Sequence, residues 1–371
     1  MYEKWLADRS FAFDASGIRK VFDLGAKLVN PVNLSIGQPD FDVPENVRQA
    51  ACDAIMSRKN GYSPTQGAPL LREKIQKEID ALYGHSDRQA FVCSGVSGGL
   101  LLIILAMVNP GDEVIMFDPH FVMYSSLVKM VGAKPVFVDT YPDFQLDVNK
   151  VKDAITDKTK MILFNSPCNP TGAVANLQVV KDIAALAKEK DIPLVSDEIY
   201  RFFCYDSEFV SPAQYNDQTI VMDGFSKCYG MPGWRLGYVH GPQEIIQTLL
   251  KFQQYSFVCA PHPFQIASVE AMDTDMTAQI DAYRRKRDII YNGLKDTFEI
   301  VKPGGAFYAF PKAPWGTADE FVNTVITKYN TLVIPGNVFS VQNTNFRISF
   351  AATDETLYRG VETLCKAAKE K

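Results

Sequence analysis

Lys227 lies in Gly224-Phe225-Ser226-Lys227, eight residues before Arg235. A lysine is by default a solvated surface charge. Withdrawn from water beside other cations, its amine gives up a proton more readily and can form a Schiff base with a carbonyl. Asp197 follows the apolar run Leu194-Val195-Ser196 and so projects from a strand end, where an aspartate ordinarily caps a turn or helix. Tyr200 follows three residues later, and Asn169 belongs to Asn169-Pro170-Thr171-Gly172. Taken singly they are a core-edge tyrosine and a turn-forming asparagine. The turn Ser94-Gly95-Val96-Ser97-Gly98-Gly99 joins a strand to an apolar helix. Free backbone N–H groups at such a helix start can hold an anion, and the spacing fails the G-x-G-x-x-G fingerprint of a dinucleotide site. Arg235 is flanked by Trp234 and Leu236, which suits a surface ion pair poorly.

Placing such groups together requires strand ends. From Phe91 to Gln254, short apolar or β-branched runs alternate with helical segments. Phe91-Val92-Cys93 precedes an apolar helix from about Ser97, residues 113–117 a helix over 121–131, and residues 135–138 a helix capped at Asp147. Residues 161–164 precede a helix opening at Asn176, and residues 194–196, 219–222 and 236–239 continue the series. Continuous apolar strands separated by helices predict an α/β fold, with a mostly parallel central sheet covered on both faces. In such sheets the ligand crevice lies at the carboxyl ends of the strands. The remainder reads as a smaller α+β unit. It has one long helix over 264–295, a Gly304-Gly305 turn, an alternating strand over 306–310, and a helix opened by the capping-box spacing of Thr317 and Glu320. Short strands near Val333 and over 346–350 and a last helix from Thr353 complete it. The large unit is expected over residues 41–285, and the small one combines 1–40 with 286–371, joined through continuous helix.

The 371 residues carry a net charge of −5 and are 47% hydrophobic, which provides for a sizeable core and lacks the basic footprint of a nucleic-acid binder. The run Leu100 to Val108 falls far short of the ~20 residues that cross a bilayer. Met1-Tyr2-Glu3-Lys4-Trp5 carries acid early with no apolar core, so no secretion signal is expected. Seven cysteines without a C-x-x-C pair point to a reducing, cytoplasmic compartment rather than disulfides or zinc. His85, His120, His240 and His262 fall in no metal-ligand spacing, so no metal and no catalytic histidine are expected.

Four segments read together carry a resemblance: Asn165 to Gly172, Ser196-Asp197-Glu198-Ile199-Tyr200, Gly224 to Tyr238, and Phe346-Arg347-Ile348-Ser349. In this order the chain resembles the fold-type I, class I/II aminotransferases, which use pyridoxal 5′-phosphate (PLP), over nearly its whole length from Asn33 to the last helix. The resemblance implies that Lys227 forms the Schiff base and shuttles a proton. It implies that Asp197 pairs with the pyridine nitrogen, a general PLP pattern. Tyr200 and Asn169 are then the partners of the phenolic oxygen. Gly95, Val96 and Ser97 form the phosphate cup with Ser226 and Arg235. Many relatives carry serine where this chain has Gly224, so one hydroxyl contact is expected to be missing. Phe121 stacks on the ring, and its plain alternative is helix-face core. Tyr62 reaches the phosphate of a neighbouring subunit, which implies a homodimer with shared sites; otherwise it is a turn tyrosine. Arg347 clamps the substrate α-carboxylate in place of an ordinary cross-strand ion pair, and Ile36 and Gly37 close over it.

The implied activity is transfer of an amino group from an L-amino acid to a 2-oxo acid. A β-elimination lyase on the same scaffold shares every one of these residues. A PLP-binding transcription regulator would need a DNA-binding module for which the first 30 residues and the acidic balance leave no room, and a Rossmann dehydrogenase lacks its glycine fingerprint. For an aspartate aminotransferase, one branch of the family supplies a side-chain cation from the stretch matching Phe252 to Gln265, which here has no arginine. Another supplies a lysine at the position of Ser97. An unpaired buried carboxylate is costly, so a neutral or aromatic donor is expected over aspartate, with Tyr255, Phe257 and Phe13 as candidate walls of an apolar pocket.

Overall fold

The computed structural model describes residues 2–13, 17–26, 28–84 and 87–370; Met1 and His85 lie outside them. In chain order the strands are β1 (Val32–Asn33), β2 (Arg88–Cys93), β3 (Glu113–Asp118), β4 (Lys134–Asp139), β5 (Thr159–Asn165) and β6 (Leu194–Asp197). They continue with β7 (Ile220–Gly224), β8 (Gly237–Pro242), β9 (Tyr308–Ala309), β10 (Thr331–Leu332), β11 (Ile334–Pro335) and β12 (Phe346–Ser349).

Seven strands form the central sheet in the order β2-β8-β7-β6-β5-β3-β4. The β4–β3, β3–β5, β5–β6 and β6–β7 pairs are parallel, and β8 runs antiparallel to both β7 and β2. The expected α/β architecture is therefore present. Its apolar runs are continuous because both faces are covered. Val114, Met116, Met161 and Leu163 pack on one side with the helices Gly95–Met107 and Gln243–Gln254, whereas Ile115, Ile162 and Phe164 pack on the other with the helix Leu177–Glu189. A second α+β region contains the antiparallel sheet β11-β12-β9 and the parallel pair β1–β10, which ties an N-terminal strand to the C-terminal part of the chain.

Local chemistry explains the helix starts. The Asp147 side chain accepts from Asn149 N at 2.9 Å, and the Asn176 side chain from Val179 N at 3.0 Å. At Thr317 the reciprocal bonds of a capping box form: Thr317 N donates to Glu320 Oε2 at 2.8 Å, and Glu320 N to Thr317 Oγ1 at 3.3 Å. Three expectations change. The long helix over 264–295 is two helices, His262–Ala271 and Thr277–Leu294. Asp275 accepts from both Thr277 N (2.9 Å) and Thr277 Oγ1 (2.6 Å), a local alternative to helical bonding that starts a new helix. The run 306–310 pairs only at Tyr308–Ala309 and is buried throughout instead of alternating, because Ala306 turns through φ +52 and core covers both sides. The strand near Val333 is divided, with β10 pairing to β1 and β11 to β12. Among the described residues no helix is long and apolar enough to cross a membrane.

Candidate active site

The carboxyl ends of β5, β6 and β7 open onto a cavity of about 240 Å³. Lys227 follows β7 through Phe225 and Ser226, and its Nζ donates to the carbonyl oxygen of Gly37 at 2.6 Å. Burial first, then the Arg347 and Arg235 charges, hold its amine down to about 8, with Asp197 acting in the opposite sense. Asp197 ends β6. Burial pushes its carboxyl up to about 6, even though it accepts from the Tyr124 hydroxyl at 2.7 Å and from Ile199 N at 3.3 Å. Asn165, its register partner on β5, donates from Nδ2 to the Asp197 carbonyl oxygen at 2.9 Å.

The opposite wall is built by close approach of backbone. Gly95 opens the helix after β2 at φ +72, and a Cβ there would lie 2.7 Å from Arg235 Nη2. A Cβ on Gly237 would lie 2.7 Å from Val96 N. Glycine at both positions lets the helix start, β8 and the Arg235 guanidinium meet. Arg235 itself sits at φ +56, with Nη1 donating to Pro232 O at 3.0 Å. Gly224 lies opposite Gly237 in the β7–β8 ladder, and its Cβ would come 2.8 Å from the Gly237 Cα. A serine there would push the ladder apart, which accounts physically for the absent hydroxyl.

Arg347, buried on β12, donates to Asn169 Oδ1 at 3.0 Å and to the Ser35 carbonyl oxygen at 2.9 Å. Its guanidinium lies between the rings of Tyr308 (4.6 Å) and Phe339 (4.5 Å), and its buried Nε has no protein partner. The Tyr200 hydroxyl lies 2.9 Å from that of Tyr308.

Most of the residues singled out from sequence meet here. Lys227, Asp197, Tyr200, Asn169 and Arg347 line the cavity. So do Val96, Ser97, Phe121, Ser226, Arg235 and Gly37. Gly95 stands behind Arg235. Ile36, expected to contribute backbone, has its side chain outside the cavity and half exposed, and Tyr62, expected to reach a neighbouring subunit, is 85% exposed on this chain. The proposed apolar walls also fall elsewhere. Tyr255 is 89% exposed just beyond the helix Gln243–Gln254, Phe257 is partly exposed with its ring 3.7 Å from where a Gly98 Cβ would stand, and Phe13 lines a separate groove with Val122 and Val338. Ile18, Leu100 and Met123 supply the apolar lining instead. His120 points away, bonded to Ser125 Oγ at 3.0 Å and packed on Phe137. Sequence reading passed over Tyr124 and Tyr308. The signal for Tyr124 was its i+3 spacing from Phe121 on one helical turn; Tyr308, inside an apolar run, had none.

The family model described as aminotransferase class I and II matches residues 29–364. A probable aspartate aminotransferase of Methanocaldococcus jannaschii is 38% identical over 96% of this chain and 96% of its own length. Aromatic-amino-acid aminotransferase 2 of Thermococcus litoralis is 33% identical over 99% of both. The structure of the Thermus thermophilus aspartate aminotransferase with maleate superposes with a TM-score of 0.91, at 33% identity, over 98% of this chain and 99% of that one. With most of its length matched and its strand ends converging on a partly buried lysine, the chain belongs to the class I and II aminotransferases, transaminases that use pyridoxal 5′-phosphate.

Proposed function

We propose that this transaminase takes the amino group of a neutral or aromatic L-amino acid in preference to aspartate, and that Lys227, Asp197 and Arg347 are its central residues. The observation that carries the reading is the partly buried Lys227 amine at the meeting point of Asp197, Arg347 and the Gly37 carbonyl.

The donors present fit PLP at each end. Arg235, Ser97, Ser226 and the first N–H groups of the helix Gly95–Met107 offer positive charge and donors for a phosphate. Asp197 is a buried carboxyl whose pKa stays raised despite the nearby Lys227 charge, and a protonated ring nitrogen would give it a direct cationic partner. Phe121 supplies a flat apolar face, and the Tyr200 and Asn169 side chains face the remaining edge. When bound, the cofactor withdraws electrons from the substrate carbon that bears the amine.

The chain's own groups do the rest. Arg347 keeps its unpartnered Nε for a carboxylate, and Asn169 and Ser35 fix the plane of the guanidinium. Clamped there, the substrate Cα–H is oriented toward Lys227 Nζ. An amine near pKa 8 is a competent base at neutral to mildly alkaline pH: it accepts that proton and returns it elsewhere. The Gly37 carbonyl oxygen accepts from the amine and covers one side of it. For donor choice, the cations lining the cavity among the described residues are Lys227, Arg235 and Arg347, each with a role of its own, and Ile18, Leu100 and Met123 are apolar. An aspartate side chain would find no counter-charge. The aromatic aminotransferase among its relatives supports this reading; the aspartate names favour the alternative.

We place the enzyme in the cytoplasm on its seven free cysteines, treat residues 41–285 and 1–40 with 286–371 as its two units, and assign it as a homodimer with Tyr62 reaching the neighbouring site. The test compares kcat/KM for alanine, phenylalanine, tyrosine and aspartate under one set of conditions, with borohydride reduction and peptide mapping carried out on a separate portion of the resting enzyme. A cofactor adduct on Lys227 with aspartate clearly poorer is expected. Preference for aspartate overturns the donor assignment, an adduct elsewhere overturns Lys227, and pyruvate release without an amino acceptor points to the lyase.

A further inference from the structure

Tyr308 touches both halves of the site. Its strand β9 pairs with β12, at Ser349↔Tyr308 and Ile348↔Ala309, so its position is locked to the strand that carries Arg347. One face of its ring lies 4.6 Å from the Arg347 guanidinium, while Phe339 closes the other side of the cation at 4.5 Å. Its hydroxyl is 2.9 Å from that of Tyr200. The Gly37 backbone closes on the same hydroxyl: a Cβ added there would lie 2.6 Å away. We propose that Tyr308 is a positioning residue that couples the two ends of the site, its ring holding Arg347 flat for the substrate carboxylate and its hydroxyl orienting the Tyr200 proton toward the cofactor.

The proton assignment follows from counting acceptors. Burial keeps both phenols protonated, so each has one proton to donate. Among the described residues neither hydroxyl makes another hydrogen bond, so either can donate within the pair; a cofactor oxygen that accepts from Tyr200 is the added acceptor that leaves Tyr308 as the donor to Tyr200. The Tyr200 proton is then left for the cavity, and accepting a bond makes Tyr200 a stronger donor. The ring works independently of the hydroxyl, because a cation held over an aromatic face needs only the π system.

This inference rests on the PLP reading of the site, and the experiment separates the two. Tyr308→Phe keeps the ring and removes the hydroxyl; Tyr308→Leu removes both. In the PLP-loaded protein, the pH titration of the visible absorbance reports the proton on Lys227 Nζ. Weaker donation from Tyr200 should move its midpoint upward in Tyr308→Phe by about half to one pH unit, the scale of one lost hydrogen bond. The dissociation constant of hydrocinnamate, a carboxylate without an amine, should change less than about threefold in that variant and rise about tenfold in Tyr308→Leu. An unchanged midpoint in Tyr308→Phe overturns the hydroxyl role. Hydrocinnamate affinity that falls equally in both variants overturns the ring role. Wild-type protein that takes up no PLP on Lys227 sinks the underlying reading instead.

Discussion

The groups proposed to do the chemistry are badly placed for stability. Asp197 is a buried carboxyl whose pKa is pushed up to about 6 by desolvation. A raised pKa means that the folded protein binds the proton more tightly than the unfolded chain. The resulting stability is fully present below the unfolded value of about 4 and is lost as pH rises through 6. Two units correspond to roughly 3 kcal/mol, an upper order of magnitude for the cost of the bare carboxylate at pH 8. Asparagine keeps the shape without the charge. Cofactor-free Asp197→Asn should therefore unfold at higher denaturant than wild type at pH 8 and lose that advantage near pH 4, while its loaded form turns over at a small fraction of the wild-type rate. Denaturant titrations at the two pH values check this; an equal difference at both would mean that the protein already neutralises the carboxylate. Lys227 acts in the opposite direction. Its amine, held down to about 8, penalises the fold at low pH, and the penalty is relieved between 8 and the unfolded value of about 10.5.

At the scale of elements, the site exists because strand ends and one helix start are brought unusually close. β2 delivers the helix Gly95–Met107, β8 passes behind it at Gly237, and β7 carries Lys227. The contact tolerates no Cβ. Gly95→Ala would place a methyl 2.7 Å from Arg235 Nη2 on a backbone at φ +72, where an L-residue pays about 1–2 kcal/mol before any clash. The expected result is a folded protein whose PLP affinity, followed by absorbance titration, drops at least about tenfold because Arg235 and the helix N–H groups are displaced together. Unaltered affinity would show that the helix start plays no part in holding the phosphate. Arg347 illustrates the same dependence on pairing. The β9–β12 ladder sets the height of Tyr308 beneath it, and β11 pairs on the other side at Ile334↔Arg347.

For the whole molecule, the proposed shared site requires a second copy of the chain to receive Tyr62. The turn holding Tyr62 and the loop holding Tyr255 are neighbours: His262 Nδ1 lies 2.9 Å from the Gly61 carbonyl oxygen, and Gln253 Nε2 donates to the Thr65 carbonyl oxygen at 2.5 Å. Tyr62 and Tyr255 are both largely exposed there. Sedimentation equilibrium should give twice the chain mass at micromolar concentration. Tyr62→Ala should keep that mass but weaken PLP binding, a pattern expected only if the tyrosine acts across the interface. A monomer that binds PLP normally would reject the shared site.

Sequence by itself determined the fold class and brought out most of the residues that line the candidate site, since the strand and helix signals around them are local. Continuous apolar strands can be buried only in a covered parallel sheet, Asp147, Asn176 and Thr317 cap the helices that follow them, and Lys227, Asp197, Asn169 and the Gly95 turn each stand beside a strand whose end is legible from its own residues. Where a competing local bond interrupts a period, as at Asp275, the pattern misled and one helix became two. Contacts between residues far apart in the chain left no period to read. Only the tertiary structure put the Gly37 carbonyl on Lys227, the Tyr124 hydroxyl on Asp197, and Tyr308 between Arg347 and Tyr200. It also turned Tyr255 outward, because the direction of a side chain beyond a helix end depends on what the helix packs against, and nothing in the local run of residues specifies that neighbour.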